Sequence, residues 1–244
     1  AQVRNVTLAY VPKALQTRDE PAWPPLAQLA GELVFERSGM QINGVSGSLL
    51  QSPLVALSNA QVQIPDLQAS VLSVNSDIRG PMQDLLRFVA TSPLSPLLGH
   101  GLDKATGTGL TDAKLHLTIP LQTPEKTKVQ GSLALSGNDL HFTPDSPILS
   151  RTRGTIQFSD NGFALQGVQA RMLGGDARIE GGMKANASGA PGSEAPLTLR
   201  ATGSVTAEGL RNARELGFWS RLAKAASGST AYSATLGVRQ GVLE

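Results

Sequence analysis

One pattern occurs twice in this chain, first as Gly31-Glu-Leu-Val-Phe-Glu-Arg-Ser-Gly-Met-Gln-Ile-Asn-Gly-Val45 and again as Gly154-Thr-Ile-Gln-Phe-Ser-Asp-Asn-Gly-Phe-Ala-Leu-Gln-Gly-Val168. The glycines and the first phenylalanine coincide at a constant offset of 123 residues (154 − 31 = 123), and the apolar positions agree as well. Each copy alternates apolar and polar residues on both sides of a short polar turn, which is typical of a β-hairpin. Gly39 and Gly162 are expected to supply the positive φ that such a turn needs.

A second match indicates that the whole plan is duplicated. Ala105-Thr-Gly-Thr108 resembles Ala226-Ser-Gly-Ser229 at an offset of 121 residues (226 − 105 = 121), and an alternating segment follows each. Two matches at nearly one offset favour tandem repeats. We therefore predict an initial strand and a Pro-rich link over 1–25, a first β-repeat unit over 26–150 and a second over 151–244.

Alternation continues through most of the chain, and the period changes to that of a helix only twice. Further strands are predicted over 2–12, 45–50, 57–64, 72–78, 113–119, 129–135, 140–142, 168–173, 177–181, 197–205 and 231–238. One short helix per unit is predicted, near 81–90 in the first and near 209–226 in the second. The inward positions of the second helix are predicted to be Leu210, Ala213, Leu216, Phe218 and Leu222. A flexible loop is expected over 188–193.

The composition favours a mainly β protein and excludes several functions. Of the 244 residues 40% are hydrophobic and only 16% charged, with 26 Gly and 15 Pro, which suits a turn-rich β fold. The chain has no Cys, which removes disulfides and thiolate metal sites. The net charge of +2 comes from scattered Lys and Arg, and aromatic residues are only 4%, so no nucleic-acid partner is predicted.

No catalytic or cofactor-binding motif is recognisable. His100, His116 and His141 have no metal-ligand spacing, so no metal and no cofactor are predicted. Gly107-Thr-Gly109 lacks the lysine of a phosphate-binding loop, and the chain has no Gly-x-Ser-x-Gly nucleophile motif. We predict that the protein is not an enzyme.

The alternation has a physical consequence, because each strand then has one apolar face that must be covered. Three architectures achieve this: a sandwich of two sheets, a closed barrel, or a curled trough whose inner wall meets an apolar ligand. Periodicity alone leaves all three open.

Four further features point to a family. They are the two Gly-x-Leu/Ile-x-Phe hairpins, the run Gly47-Ser-Leu-Leu-Gln-Ser-Pro-Leu54, the segment Asp84-Leu-Leu-Arg-Phe88 followed by Ser92-Pro-Leu94, and the strand over 113–120. In these the chain resembles the AsmA-like envelope proteins of Gram-negative bacteria, in particular the large YhdP-type members, which are relatives of TamB. The resemblance implies an elongated, curled antiparallel sheet that forms a trough.

The same resemblance implies a function and a location. We expect a periplasmic segment of a bridge-like lipid transfer protein, tethered to the inner membrane by an anchor outside this chain. Its hydrophobic groove would carry phospholipid, or another acyl-chain lipid, between the inner and outer membranes and so serve outer-membrane biogenesis. The other expected partner is the rest of the same long chain.

The candidate groove residues are apolar members of alternating segments. They are Leu33, Phe35, Met40, Ile42, Val62, Ile64, Leu72, Val74, Leu115, Leu117, Ile119, Leu133, Leu135, Ile156, Phe158, Leu165, Ile179, Leu197, Leu199, Leu236 and Val238. The alternative interpretation is a closed β-sandwich that assists the assembly of envelope or outer-membrane proteins through its strand edges. The same residues would then be its core.

Overall fold

The computed structural model describes residues 1–9, 21–68, 70–97, 100–123, 126–184, 197–239 and 242–243. The loop predicted over 188–193 lies outside these described residues, as does most of the Pro-rich link predicted before residue 21.

The described residues form fourteen strands and a few short helices. The strands are β1 (Gln2–Leu8), β2 (Leu26–Glu36), β3 (Gly39–Leu49), β4 (Ser52–Ile64), β5 (Val71–Pro81), β6 (Thr106–Gly107), β7 (Leu110–Pro120), β8 (Lys128–His141), β9 (Leu149–Ser159), β10 (Gly162–Met172), β11 (Gly175–Lys184), β12 (Leu197–Thr206), β13 (Ser229–Arg239) and β14 (Val242–Leu243). The helices are α1 (Met82–Ala90), α2 (Leu94–Leu97), α3 (Ala207–Asn212) and α4 (Phe218–Leu222), with 3-10 turns at Arg214–Leu216 and Ala223–Ala225.

The strands follow one another in a single open sheet. Their hydrogen-bonded order is the order of the sequence, except that the two-residue strand β6 lies off the path and pairs with β8. The sheet is antiparallel and does not close on itself. The prediction of a mainly β, antiparallel protein is therefore confirmed, and no pairing among the described strands closes the sheet into a barrel.

Two compact units can be distinguished by their internal contacts. The first comprises Ala1–Ala105 with Leu110–Ser132, and the second comprises Thr106–Gly109 with Leu133–Glu244. The repeat boundary between residues 150 and 151 concerns the sequence period and stays a prediction.

The two hairpins that contain the repeated pattern pair their residues in the same register. Leu33 faces Ile42 in β2–β3 as Ile156 faces Leu165 in β9–β10, at the same offset of 123 residues. Both hairpins carry a β-bulge in each strand, and these bulges also coincide at that offset. The left-handed residues at them are Gln28 (φ +54°), Gly44 (φ +61°), Arg151 (φ +52°) and Gly167 (φ +59°).

These bulges explain why strands were predicted in pieces. A bulge inserts one extra residue, so the apolar residues change from even to odd positions while staying on one face. The predicted strand 45–50 is in fact the second half of β3, which continues past Gly44. The strands predicted over 129–135 and 140–142 are likewise one strand, β8, which contains Gly137 at φ +107°.

The turn of the first hairpin differs from the prediction. Gly162 has a positive φ of +126°, as expected, but Gly39 does not, and Arg37 takes the left-handed conformation there at φ +52°. Gly39 is needed for space instead, because a Cβ atom at this position would lie 2.9 Å from the carbonyl oxygen of Pro65.

The helical segments are shorter and more numerous than predicted. The first unit has α1 near the predicted position and a further single turn, α2. The helix predicted over 209–226 is broken into α3, α4 and two 3-10 turns, because Ala213 (φ −82°, ψ 73°) and Gly217 (φ +51°) leave helical geometry. Of its predicted inward residues Ala213 is buried and Leu210 and Leu216 are half-buried, whereas Phe218 and Leu222 are exposed, so that their inward placement is wrong.

Candidate functional site: the apolar face of the sheet

A row of five apolar residues crosses five neighbouring strands of the first unit. The paired residues, from β2 to β7, are Leu33, Ile42, Val62, Val74 and Leu117. Directly paired residues in an antiparallel sheet point to the same face. These five side chains, which we call the central row, therefore form one continuous apolar strip across the strands.

Other candidates of the first unit lie on the same face, beside the central row. Phe35 pairs with Met40 and Met40 with Ile64, and on the next strands Leu72 pairs with Ile119. Leu115 lies on the other side of the row, opposite Ser76. All eleven candidates of this unit are thus on one face.

The opposite face of the first unit is polar. Between the apolar positions, Gln41 pairs with Gln63, Gln63 with Ser73 and Ser73 with Thr118. His116 Nδ1 lies 2.6 Å from Asn75 Oδ1, and Arg79 forms an exposed ion pair of 3.6 Å with Asp112.

The chain covers the apolar face unevenly. Near α1 the face is packed, since Leu49, Val55 and Met82 are buried and α1 contacts β4 and β5. The central row is only half-buried along its whole length, and Phe35 at the far end is 63% exposed. The extensive contacts of the described strands in this unit are with their neighbours in the sheet.

The second unit has two comparable rows from β9 to β13. The first contains Ile156, Leu165, Gly181, Leu199 and Leu236. The second contains Phe158, Phe163, Met183, Leu197 and Val238, of which the side chain of Val238 is outside the described residues. Ile179 lies on the same face, where it pairs with Val168 and Ala201.

Two candidates are not tied to these rows by any described pairing, and several members of the face were missed. Leu133 and Leu135 both lie in β8, the former half-buried and the latter buried. The missed residues with apolar side chains include Leu29, Val45, Leu57, Ile78, Phe163, Val168, Met183 and Ala201. The alternation of apolar residues shifts by one position at Gly44 and at Gly167. A pattern that allowed for this shift would have identified Val45 and Val168.

One polar atom is buried on the apolar face of the second unit. Tyr232 pairs with Gly203, which pairs with Ala177, so that its neighbours in the row are small. Its Oη atom is buried and has no hydrogen-bond partner among the described residues, and burial raises the pKa of the Tyr232 hydroxyl. An unpaired buried hydroxyl destabilises the folded state.

Replacing Tyr232 with Phe is therefore expected to raise the free energy of unfolding by about 1 kcal/mol, measured in urea. The Thr152 hydroxyl is also buried but donates to the Leu149 carbonyl at 3.0 Å, so Thr152→Val should lower that free energy by a similar amount. Because the pKa of Tyr232 is raised, its ionisation above pH ~10 favours the unfolded chain, and Tyr232→Phe should reduce the loss of stability there. A loss of stability in Tyr232→Phe at neutral pH would contradict this assignment.

The polar clusters of the described residues do not form a reaction centre. Ser95, His100 and Asp103 lie together, but one atom, His100 Nδ1, contacts both Ser95 Oγ (3.0 Å) and Asp103 Oδ2 (2.8 Å). In a catalytic triad one nitrogen of the histidine contacts the serine and the other contacts the carboxylate. Here a single nitrogen contacts both groups, so the cluster stabilises the turn. The Ser95 hydroxyl also donates to Asp103 Oδ1 (2.5 Å), and this hydrogen bond, followed by the one with His100, lowers the pKa of Asp103.

The described residues contain neither a candidate metal site nor a helix that could span a membrane. No group of three or more His, Asp and Glu side chains there is arranged to hold a metal ion. None of the helices described has the length and apolar character needed to cross a bilayer.

Comparison with known proteins gives two matches. The family model described as "YhdP protein" matches residues 1–242. The "Intermembrane phospholipid transporter YhdP" of Escherichia coli (strain K12) is 32% identical over 142 residues, which is 57% of this chain and 11% of that protein. The match thus spans about a tenth of the relative's length. No solved structure matches.

Proposed function

The chain belongs to the YhdP family, and from that membership and its one-sided sheet we propose that it is a segment of a bridge-like lipid transfer protein. The apolar face carries phospholipid acyl chains between the inner and outer membranes, and the protein thereby serves outer-membrane biogenesis. The single observation that supports this most is the central row, which stays half-buried while the same strands are polar on their other face.

The chemistry of an acyl chain fits such a surface. Hydrocarbon makes no directional bonds and needs only contiguous apolar contact. Each methylene that it buries there contributes about 0.8 kcal/mol to the binding free energy. Five strands at ~4.8 Å spacing give the central row a length of roughly 19 Å. The lipid is bound and passed on without a chemical step, so that no cofactor is required.

The proposal includes a shape and a place for the chain. The apolar face is the concave side of a curled sheet, and the bulges at Gln28, Gly44 and Asn59 provide the bending, since bulges bend a strand and increase its twist. The segment lies in the periplasm and is tethered to the inner membrane through parts of the longer protein. The rest of that protein continues the groove. A sandwich module for protein assembly would instead need a second sheet over the central row.

Photo-crosslinking at two adjacent positions tests the proposal. A photoreactive amino acid at Leu117 points into the apolar face, whereas one at Thr118 points to the polar face of the same strand. Illumination in cells is expected to attach phospholipid at position 117 and much less at position 118. Equal lipid attachment at both positions, or attachment of protein alone at 117, would overturn the proposal.

A further inference from the structure

A cluster of large apolar side chains is exposed in the second unit, away from the paired rows. Phe218, Trp219 and Leu222 of α4 are 63%, 58% and 54% exposed. The two aromatic rings contact each other edge to face, with centroids 5.7 Å apart and an interplanar angle of 72°. Ser220 and Ala223, on the other side of the segment, are buried. The apolar arc of α4 thus faces outward.

Cationic residues lie close to this cluster in the sequence. Arg214, Arg221 and Lys224 are all exposed, and none forms an ion pair with a described carboxylate. Over the segment from α3 to the last 3-10 turn, four basic side chains stand against two acidic ones, Glu208 and Glu215. An exposed patch of Trp, Phe and Leu with Arg and Lys beside it has the composition of a bilayer-interface element.

The segment is held firmly in place. Thr206 caps α3, since its Oγ1 accepts a hydrogen bond of 2.9 Å from the Gly209 N–H. A Cβ at Gly209 would collide with the backbone of Leu173, so α3 sits directly on the turn between β10 and β11. Arg211 donates to the carbonyl oxygens of Ala223 (3.3 Å) and Ala226 (3.0 Å), which fixes the end of the segment. The exposed side chains are therefore presented on a fixed support.

We infer that Phe218, Trp219 and Leu222 form a docking surface for a lipid bilayer that contains anionic phospholipid, with Arg214, Arg221 and Lys224 contacting the headgroups. The three side chains offer roughly 300–400 Å² of apolar area, about half of what each partner buries in a stable protein interface. This is too little for a second protein or a second copy of the chain. It is enough for shallow insertion into the bilayer surface, because the apolar contact and the attraction to anionic lipid both contribute to the binding free energy.

The inference concerns contact with a membrane surface and does not depend on the cargo in the groove. Trp219 can report on it, because the chain has only two Trp residues and Trp23→Phe leaves Trp219 as the single tryptophan, which is excited selectively at the red edge of the absorption band. The probes are vesicles of phosphatidylcholine alone and vesicles of phosphatidylcholine mixed with phosphatidylglycerol. The expected result is a blue shift of the Trp219 emission with the mixed vesicles, weaker with phosphatidylcholine alone and reduced by added salt.

Substitutions in the Trp23→Phe background complete the test. Phe218→Ser with Leu222→Ser is expected to weaken vesicle binding at least about tenfold, and Arg221→Gln with Lys224→Gln to reduce the preference for phosphatidylglycerol. Leu54→Ser with Leu110→Ser changes two exposed leucines elsewhere and should have no effect. Val74→Asp with Leu117→Asp in the central row should also leave the shift unchanged, which separates this test from that of lipid transfer.

Three results would overturn the inference. They are the absence of a shift with either vesicle, a shift that does not depend on phosphatidylglycerol, and a shift that rises with protein concentration without vesicles. The last of these would assign the patch to contact between copies of the chain.

Discussion

Replacing Val74 and Leu117 together with Asp is expected to reduce the phospholipid bound to the protein at least about tenfold. The two residues pair directly in the middle of the central row, where a carboxylate would meet the acyl chain. If two methylenes of the bound acyl chain lose their apolar contact, the binding free energy weakens by roughly 1.6 kcal/mol. This exceeds the ~1.4 kcal/mol that corresponds to a tenfold change in affinity. The measurement is the lipid content of the purified protein per mole of chain.

The matched control is Ser73→Asp with Thr118→Asp. These residues also pair directly, on the same two strands and one position away, but on the polar face. The control therefore adds the same charge and the same repulsion between opposed carboxylates, and its bound lipid should equal that of the unchanged protein. Circular dichroism verifies that both variants fold. Equal lipid loss in the two variants would contradict the assignment of faces.

Gly154→Ala is expected to be among the most destabilising single changes in the repeated hairpin. Gly154 has φ +133°, a conformation that is essentially restricted to glycine. A Cβ atom there would also lie 2.7 Å from Cα of Val168 in the paired strand, where only backbone movement gives relief. We expect the free energy of unfolding to fall by about 3 kcal/mol, measured in urea.

Gly31 occupies the same position in the first copy and provides the comparison. It has no positive φ, and a Cβ atom there would lie 3.1 Å from the side-chain atom Cγ2 of Val45, which can move. Gly31→Ala should therefore cost about 1 kcal/mol or less, partly because alanine restricts the unfolded chain. An equal decrease in the free energy of unfolding for Gly154→Ala and Gly31→Ala would contradict this explanation, which rests on the different φ and the different space at the two glycines.

The repeated hairpin shows what the sequence can predict here. Alternation and the offset of 123 residues predicted a hairpin in each copy, and both hairpins form, with Leu33 opposite Ile42 and Ile156 opposite Leu165. Strand boundaries were not predictable to the same degree, because a bulge such as that at Gly44 looks like the end of an alternating run. Only the pairing with the neighbouring strand shows that β3 continues.

The bulges at Gln28 and Arg151 could not have been predicted from residue type. Neither residue favours φ > 0, and both take it because the register of the neighbouring strand demands an extra residue. The prediction of one continuous second helix was wrong for a related reason. Its apolar residues satisfy helical spacing over 209–226, but Gly217 breaks the segment and turns Phe218 and Leu222 outward.

The same shifts in alternation decided which residues were predicted as candidate groove residues. Leu33, Val62 and Leu117 share one face of the first unit, and alternation is regular around them. Val45 and Val168 follow a bulge and were missed.

The most direct test is native mass spectrometry of the chain purified without detergent from the periplasm of Gram-negative cells, alongside Val74→Asp with Leu117→Asp. We expect the unchanged chain to carry phospholipid as a distinct mass increment and the variant to have largely lost it. A chain that carries no more phospholipid than the variant would contradict the claim that hydrocarbon fills the apolar face.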